Sequence, residues 1–478
     1  MKRILFTVLC VLAWTSSVHA KDYTIVETGQ NGCFGNRSQI ECSKPGNRFN
    51  GQDSQYKGEE ARYRDNDDGT VSDLVTGLMW VKRRGNKVSW SDAMEEASEC
   101  RIGGHDDWRA PTIKELYSLI DFNGWVQKQE QDSVPFINTK YFDFEYGNTR
   151  TGERIIDCQD WSATTYVGTT MGGAKTAFGV NFADGRIKGY PTRMRNTRHN
   201  KYIRYVRGNT QYGKNDFKDN KNGTVTDKAT DLTWQQADDG TTRNWKDGLA
   251  YCENLKLGGR TDWRMPNAKE LQSIVDYTRS PTSTDSAAID PLFAVTLKES
   301  YYWTSTTHLD GPQPDRTVYV AFGRAMGYFA PPNSKTAKRF LDVHGAGAQR
   351  SDPKSGDPDR YPTGHGPQGD DIRILNYVRC VTGGGVESYE PSNDRIPEWK
   401  GFDSYTPRTQ PDSQQKGSSQ RMGHGGKRGG RGEPPQAAFD ACKTKRKGNK
   451  CTVKTPNGTI SGICRDMPKG TVCVPDNH

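Results

Sequence analysis

The chain has 478 residues, a formal net charge of +9, 51 glycines and 32% hydrophobic residues. That length gives two or three domains, each able to bury its own core. The glycine-rich, weakly apolar composition suits loop-rich, half-wet β structure better than a helix bundle.

In chain order, Lys2 and Arg3 precede the apolar run Ile4 to Trp14 and the small-residue site Val18-His19-Ala20. This predicts a signal peptide over 1–20, cleaved after Ala20, and a periplasmic or secreted protein of a bacterium. The apolar run is too short to span a bilayer, and no later stretch is long enough, so no membrane span is expected. Eleven cysteines are present, and Cys10 leaves with the signal peptide. An even remainder in an oxidising compartment predicts disulfides, and no C-x-x-C pair points to zinc or redox chemistry. Residues 21–61 form an N-terminal extension in which Cys33 and Cys42 close a small loop.

A long duplication follows, over 62–209 and 216–383. Between 63–80 and 217–234, nine of eighteen positions are identical, ending at Trp80 and Trp234. Asp-Asp-Gly69 and Lys-Asn-Gly223 are hairpin turns between alternating segments, because Gly supplies positive φ. After Trp90, the residues Ala93, Met94, Ala97 and Cys100 recur at helical spacing, with Ser91 as N-cap; Trp245, Leu249, Cys252 and Leu255 do the same. Trp108-Arg109-Ala-Pro111 and Trp263-Arg264-Met-Pro266 each lead into a second helix. There Thr112 and Glu115 make a capping box, which Asn267 and Glu270 repeat. Phe178 to Phe182, Ile203 to Val206, Val318 to Phe322 and Ile374 to Val378 read as strands. Tyr205-Val-Arg207 matches Tyr377-Val-Arg379, and the second copy carries a polar insertion over 331–371. Each copy is therefore a whole α+β domain, two helices ahead of an antiparallel sheet.

Aligning the Trp-Arg motifs sets Cys252 opposite Ala97 and Cys100 opposite Leu255, so their partners should differ. Cys380 ends the second copy where the first has Gly208. The expected pairs are Cys252 with Cys380 and Cys100 with Cys158. After a Pro-, Gly- and Arg-rich linker over 386–436, residues 437–478 form a four-cysteine module too small to fold without staples. An Asn457-Gly458 turn would oppose Cys451 to Cys464, leaving Cys442 for Cys473, with sequential pairing as the runner-up.

The Asp-Asn-x-x-Gly-Thr-Val openings, Asp-Trp-Arg-x-Pro-x-x-x-Glu-Leu and the closing Tyr-Val-Arg-Cys resemble the Lcl C-terminal domain, the C-terminal domain of a collagen-like adhesin. More distantly, Trp-Arg-x-Pro and the final Arg-Cys resemble the formylglycine-generating-enzyme type of C-type-lectin-like fold. The resemblance implies two tandem C-type-lectin-like domains plus a small disulfide-rich C-terminal β module, and binding to sulfated or otherwise polyanionic glycans. The chain departs from that adhesin in having two copies and no collagen repeat.

Candidate sites are few. Asp65, Asp67, Asp68 and Asp73 have the oxygen-rich spacing of a calcium loop, and equally that of an Asx-rich hairpin. No other cofactor is expected. Trp108-Arg109 and Trp263-Arg264 read as scaffold; Trp161, Thr164, Thr165 and Trp303, Thr306, Thr307 read as core first and sugar-stacking platform second. The histidines are scattered without metal spacing, leaving His344, in the insertion, as the one to watch. Residues 400–478 hold 15 Lys and Arg against 6 Asp and Glu, an excess equal to the whole chain's +9. Within it, Lys443, Lys445, Arg446, Lys447 and Lys450 are the densest cluster, suited to an anionic polysaccharide. With no aromatics interleaved, sequence-specific nucleic acid is not an expected partner. The expected function is a non-catalytic binding or adhesion protein. The alternatives are an enzyme acting on envelope polymers through the 331–371 insertion, or a purely structural envelope protein.

Overall fold

The computed structural model describes residues 21–194, 197–330, 336–390, 436–445, 449–455, 458–467 and 470–475. The expected signal peptide, nearly all of the linker, Arg446, Lys447 and Asn457 lie outside them. The described residues up to 390 form one compact unit and those from 436 onward a second.

The first copy opens with a meander: β1 (Tyr63–Asp65), β2 (Thr70–Asp73) and β3 (Leu78–Val81). Asp67 and Gly69 turn its first hairpin at φ of 60° and 86°. Helix α1 (Trp90–Glu95) is capped by Ser89, not Ser91, whose side chain accepts from the Asp92 N–H. In α2 (Ile113–Ser118), Thr112 and Glu115 close the expected capping box. Then come β4 (Asp160–Thr165), β5 (Thr176–Asn181), β6 (Arg186–Pro191) and β7 (Val206–Gly208). The second copy repeats this order. Its meander is β8 (Phe217–Asp219), β9 (Thr224–Asp227) and β10 (Leu232–Gln235), and its helices are α3 (Trp245–Glu253) and α4 (Ala268–Ser273). Asn267 and Glu270 close the second capping box. Five strands follow: β11 (Tyr301–His308), β12 (Arg316–Ala321), β13 (Met326–Phe329), β14 (Arg339–Asp342) and β15 (Gln349–Pro353), then β16 (Val381–Gly383).

β7 closes the first meander and β16 the second, pairing Val206 with Trp80 and Val381 with Trp234. This moves the alignment of the closing motifs by three residues. The counterpart of Tyr377-Val378-Arg379 is Tyr202-Ile203-Arg204, not Tyr205-Val206-Arg207. Arg204 donates to the carbonyls of Val81, Lys82 and Asp143, and Arg379 to those of Gln235, Gln236 and Ala294. Both guanidiniums are fully buried, and only carbonyls so placed offset the cost of dehydrating them.

The copies are not separate bodies. Their later strands make one six-stranded sheet in the order β11-β12-β15-β6-β5-β4, a palindrome with its seam at Gln349 and Ile187. The main apolar core contains residues of both copies, among them Trp80, Trp234, Phe178 and Val320. β15 is the twin of β6, so the span 331–371 is not wholly an insertion: a core strand lies inside it, and the extra residues fall on both sides of that strand, in the β13–β14 hairpin and in the connection from β15 to Tyr377. Across the seam Arg186 reaches Asp310 at 2.5 Å and Ser351 at 3.1 Å, and the Tyr166 hydroxyl donates to Asp342 at 2.8 Å.

Cys33–Cys42 and Cys252–Cys380 form as expected. Cys100 and Cys158 are free thiols. The reason is local: α1 tightens into the 3-10 turn Glu96–Glu99, and Cys100 follows it in extended conformation, off the helix face on which Cys252 sits. Cys380 is matched by Tyr205, whose carbonyl accepts from Val81 as that of Cys380 does from Gln235.

In the second unit, α5 (Gln436–Asp440) precedes β17 (Lys450–Thr455), β18 (Gly458–Met467) and β19 (Gly470–Pro475). The disulfides are Cys442–Cys464 and Cys451–Cys473, so both expected pairs are corrected, and so is the sequential alternative. Thr455 pairs with Gly458, which sets Cys451 opposite Gly462 rather than Cys464. On the third strand Cys473 stands opposite Cys464, yet its disulfide is to Cys451.

Candidate binding cleft

Three of the residues flagged as a calcium loop hold the turn. Asp65 accepts from the Asp67 N–H at 3.1 Å and pairs with Lys82 at 2.5 Å, which holds its carboxyl below the usual range. Asp68 accepts from the Thr70 hydroxyl at 2.6 Å, and Asp73 from the N–H groups of Val75 and Thr76. Among the described residues, the one cluster of three or more potential ligand atoms within 4.8 Å is Cys442, Cys451 and Cys473, all in disulfides.

Trp161 and Trp303 are fully buried and donate to the carbonyls of Val88 and Arg243, so neither offers a face to a sugar. His344 is buried against Asp370, 2.9 Å away, which also pairs with Arg350. Burial and the Arg350 charge hold its pKa down at about 4, despite Asp370. In the tail, Lys443 and Lys450 are exposed, and the Lys445 ammonium donates to the Lys450 carbonyl at 2.8 Å.

The feature that stands open lies elsewhere. A cleft of about 510 Å³ runs between α2 of the first copy and the end of α4 of the second. It is lined by Arg109, Thr112, Lys114 and Thr164 on one side and by Val275 and Tyr277 on the other. The sequence builds its wall twice. Arg109 forks onto Glu115 at 2.7 and 2.5 Å, and Arg264 onto Glu270 at 2.6 Å twice. Thr164 accepts from the Ile113 N–H at 3.0 Å, and Thr306 from that of Ala268 at 3.0 Å. A planar guanidinium on a carboxylate that also closes a capping box fixes all these side chains together.

The two walls differ in what covers them. Arg264 is 4% exposed and Arg109 31%. Thr306 and Thr307 are buried, whereas Thr164 is half-buried and Thr165 exposed. The cover in the second copy is the N-terminal extension, which is therefore part of this unit's packing rather than an appendage. Asp53 accepts from the hydroxyls of Thr28 at 2.8 Å and Thr306 at 2.5 Å. Burial lifts its pKa to about 7. The Tyr56 ring lies 5.4 Å from the Arg264 guanidinium, and its hydroxyl donates to Glu253 at 2.5 Å. Gln30 bonds the main chain of Thr307 twice, donating to its carbonyl and accepting from its N–H, each at 2.8 Å. What remains at Arg264 and Glu270 is about 20 Å³, and beside it a pocket of about 330 Å³ stays open, lined by Thr28, Gln30, Tyr56, Leu119, Ile120 and Lys269. The Cys33–Cys42 loop backs this plug, with the Cys33 sulfur 3.1 Å from the Ser54 hydroxyl.

Sequence reasoning missed Asp53, Tyr56 and Gln30, because they have no counterpart in the repeat. It reached Arg109 and Thr164 only as scaffold or core. The unequal flanks of the two copies were the available signal.

Residues 69–207 and 223–341 match the Lcl C-terminal domain family, together more than half of the chain. The second match ends in β14, just before the strand that restores the repeat. No curated protein and no solved structure matches the chain. The protein belongs to the Lcl C-terminal domain family and carries that domain twice in tandem.

Proposed function

We propose that this protein is an exported, non-catalytic binding protein of the adhesin type, which holds an anionic polymer such as an acidic glycan. The observation that carries the reading is membership of both copies in the Lcl C-terminal domain family. The segregation of positive charge into 400–478 supports it, since clustered Lys and Arg hold polyanions by releasing counterions. Each copy reads as a C-type-lectin-like domain, a reading supported in the second by the disulfide from α3 to the residue before its closing strand. The disulfides fit export, and no helix among the described residues is long and apolar enough to cross a membrane. The competing enzymatic reading relied on His344, which is 2% exposed and tied into an ion network. Retention of the mature chain on immobilised heparin or alginate tests the proposal. Retention that falls sharply on deleting 421–478 is expected; retention unchanged by the deletion removes the tail from the function, and no retention at all overturns the reading.

A further inference from the structure

We propose that the open cleft of the first copy is a docking site for a short, turn-forming peptide segment of another chain. That segment carries a carboxylate and, three residues later, an aromatic ring. The warrant is the twin cleft, where Asp53 and Tyr56, at that spacing in the 3-10 turn Asp53–Gln55 and the residue after it, fill the same wall. The wall they meet is Thr306, Arg264 and Glu270; the wall left open is Thr164, Arg109 and Glu115, with the same internal hydrogen bonds. A carboxyl group seated on Thr164 would use the hydroxyl proton, as Asp53 uses that of Thr306. A ring beside Arg109 would take the place of Tyr56 beside Arg264, where cation–π attraction acts.

A peptide fits better than a sugar for a second reason. At the twin site Gln30 satisfies the main chain of Thr307, the residue next along the edge strand β11. Thr165 occupies the same position on β4, the opposite edge of the same sheet, and is exposed. An incoming side-chain amide supplies that pair of bonds, as Gln30 does at the twin; open edge strands recruit such partners. The cleft, about 510 Å³ against about 330 Å³ and about 20 Å³ in the two parts left at the twin, leaves room for such a segment.

The test uses the full mature chain and a fluorescent synthetic peptide of residues 49–58 (FNGQDSQYKG), followed by anisotropy. Saturable binding is expected, weakened about tenfold or more by Asp53→Ala or Tyr56→Ala in the peptide. In the protein, Ala163→Trp, at an exposed position beside Thr164, should block binding. Thr164→Val should weaken it and Thr164→Ser keep it. Deleting 421–478 should leave it unchanged, which separates this site from the tail. No saturable binding overturns the proposal, as does binding indifferent to Ala163→Trp, which would place the peptide at the second copy by displacement of the extension. Competition by polygalacturonate together with indifference to the peptide's Asp53→Ala would make the cleft a glycan site instead.

Discussion

Lys114 and Lys269 hold the same place in the two copies, and each donates to the last residue of the other's second helix. Lys114 Nζ lies 2.6 Å from the Ser273 carbonyl, and Lys269 Nζ 2.8 Å from that of Ser118. A cation at a helix C-terminus satisfies carbonyls that the helix itself leaves open. The exchange is reciprocal, as the palindromic sheet order requires, and it fixes how α2 and α4 face each other. Burial depresses both ammonium groups to about 8.

Replacing either lysine by methionine keeps the apolar stem and removes the donors. Each replacement is expected to cost about 1–3 kcal/mol, the price of leaving a buried carbonyl unpaired. Urea unfolding of the two variants checks this. A loss at only one position would mean that the reciprocity has no energetic content.

Asp53 gives a signed pH effect. Burial is the main reason for its raised pKa of about 7, with Glu270 and Glu27 adding to it and the hydroxyls of Thr306 and Thr28 opposing. Arg264 and Lys269 are the cations on the wall it faces. An acid with a raised folded pKa contributes stability that is fully present below about pH 4 and is lost as the pH rises through about 7. Asp53→Asn therefore gains on the native chain across that window, by on the order of a few kcal/mol at most. Melting temperatures of both proteins at pH 5 and pH 8 measure it; a constant difference contradicts the assignment.

Breaking Cys252–Cys380 with Cys252→Ala and Cys380→Tyr installs the pair found in the first copy, Ala97 and Tyr205. A closed loop of this length is worth about 2–5 kcal/mol, so the variant should fold with a lower melting point. In the native chain, maleimide should label Cys100, which is partly exposed, before Cys158, which is buried and whose thiol burial pushes up to about 12. A Cys100–Cys158 disulfide found by peptide mapping would refute the helix-end geometry described for Cys100.

Calcium is expected to leave the melting temperature unchanged relative to EDTA, because one oxygen each of Asp65, Asp68 and Asp73 is held by their own turns and the second of Asp65 by Lys82. A rise of several degrees that Asp68→Ala abolishes would restore the loop as a cation site.

What the sequence by itself determined is whatever neighbours in the chain decide. The two hairpins, the capping boxes of Thr112 and Asn267 and the Trp-Arg entries to α2 and α4 follow from backbone geometry within a few residues, and a duplication makes each visible twice. Cys33–Cys42, nine residues apart, was legible for the same reason, and Cys252–Cys380, 128 residues apart, only because the two copies differ in their cysteines. Tertiary structure decided the rest. Cys100 leaves its helix face because α1 ends early. The closing motifs align through Arg204 and Arg379, because only those guanidiniums reach the carbonyls of β3 and β10. The β6–β15 seam and the plug of Asp53 and Tyr56 join residues distant in sequence whose fit depends on surfaces that exist only after each copy has folded. Pattern along the chain cannot report such a fit, because it reads spacing, while docking depends on shape and on which polar groups remain unpaired.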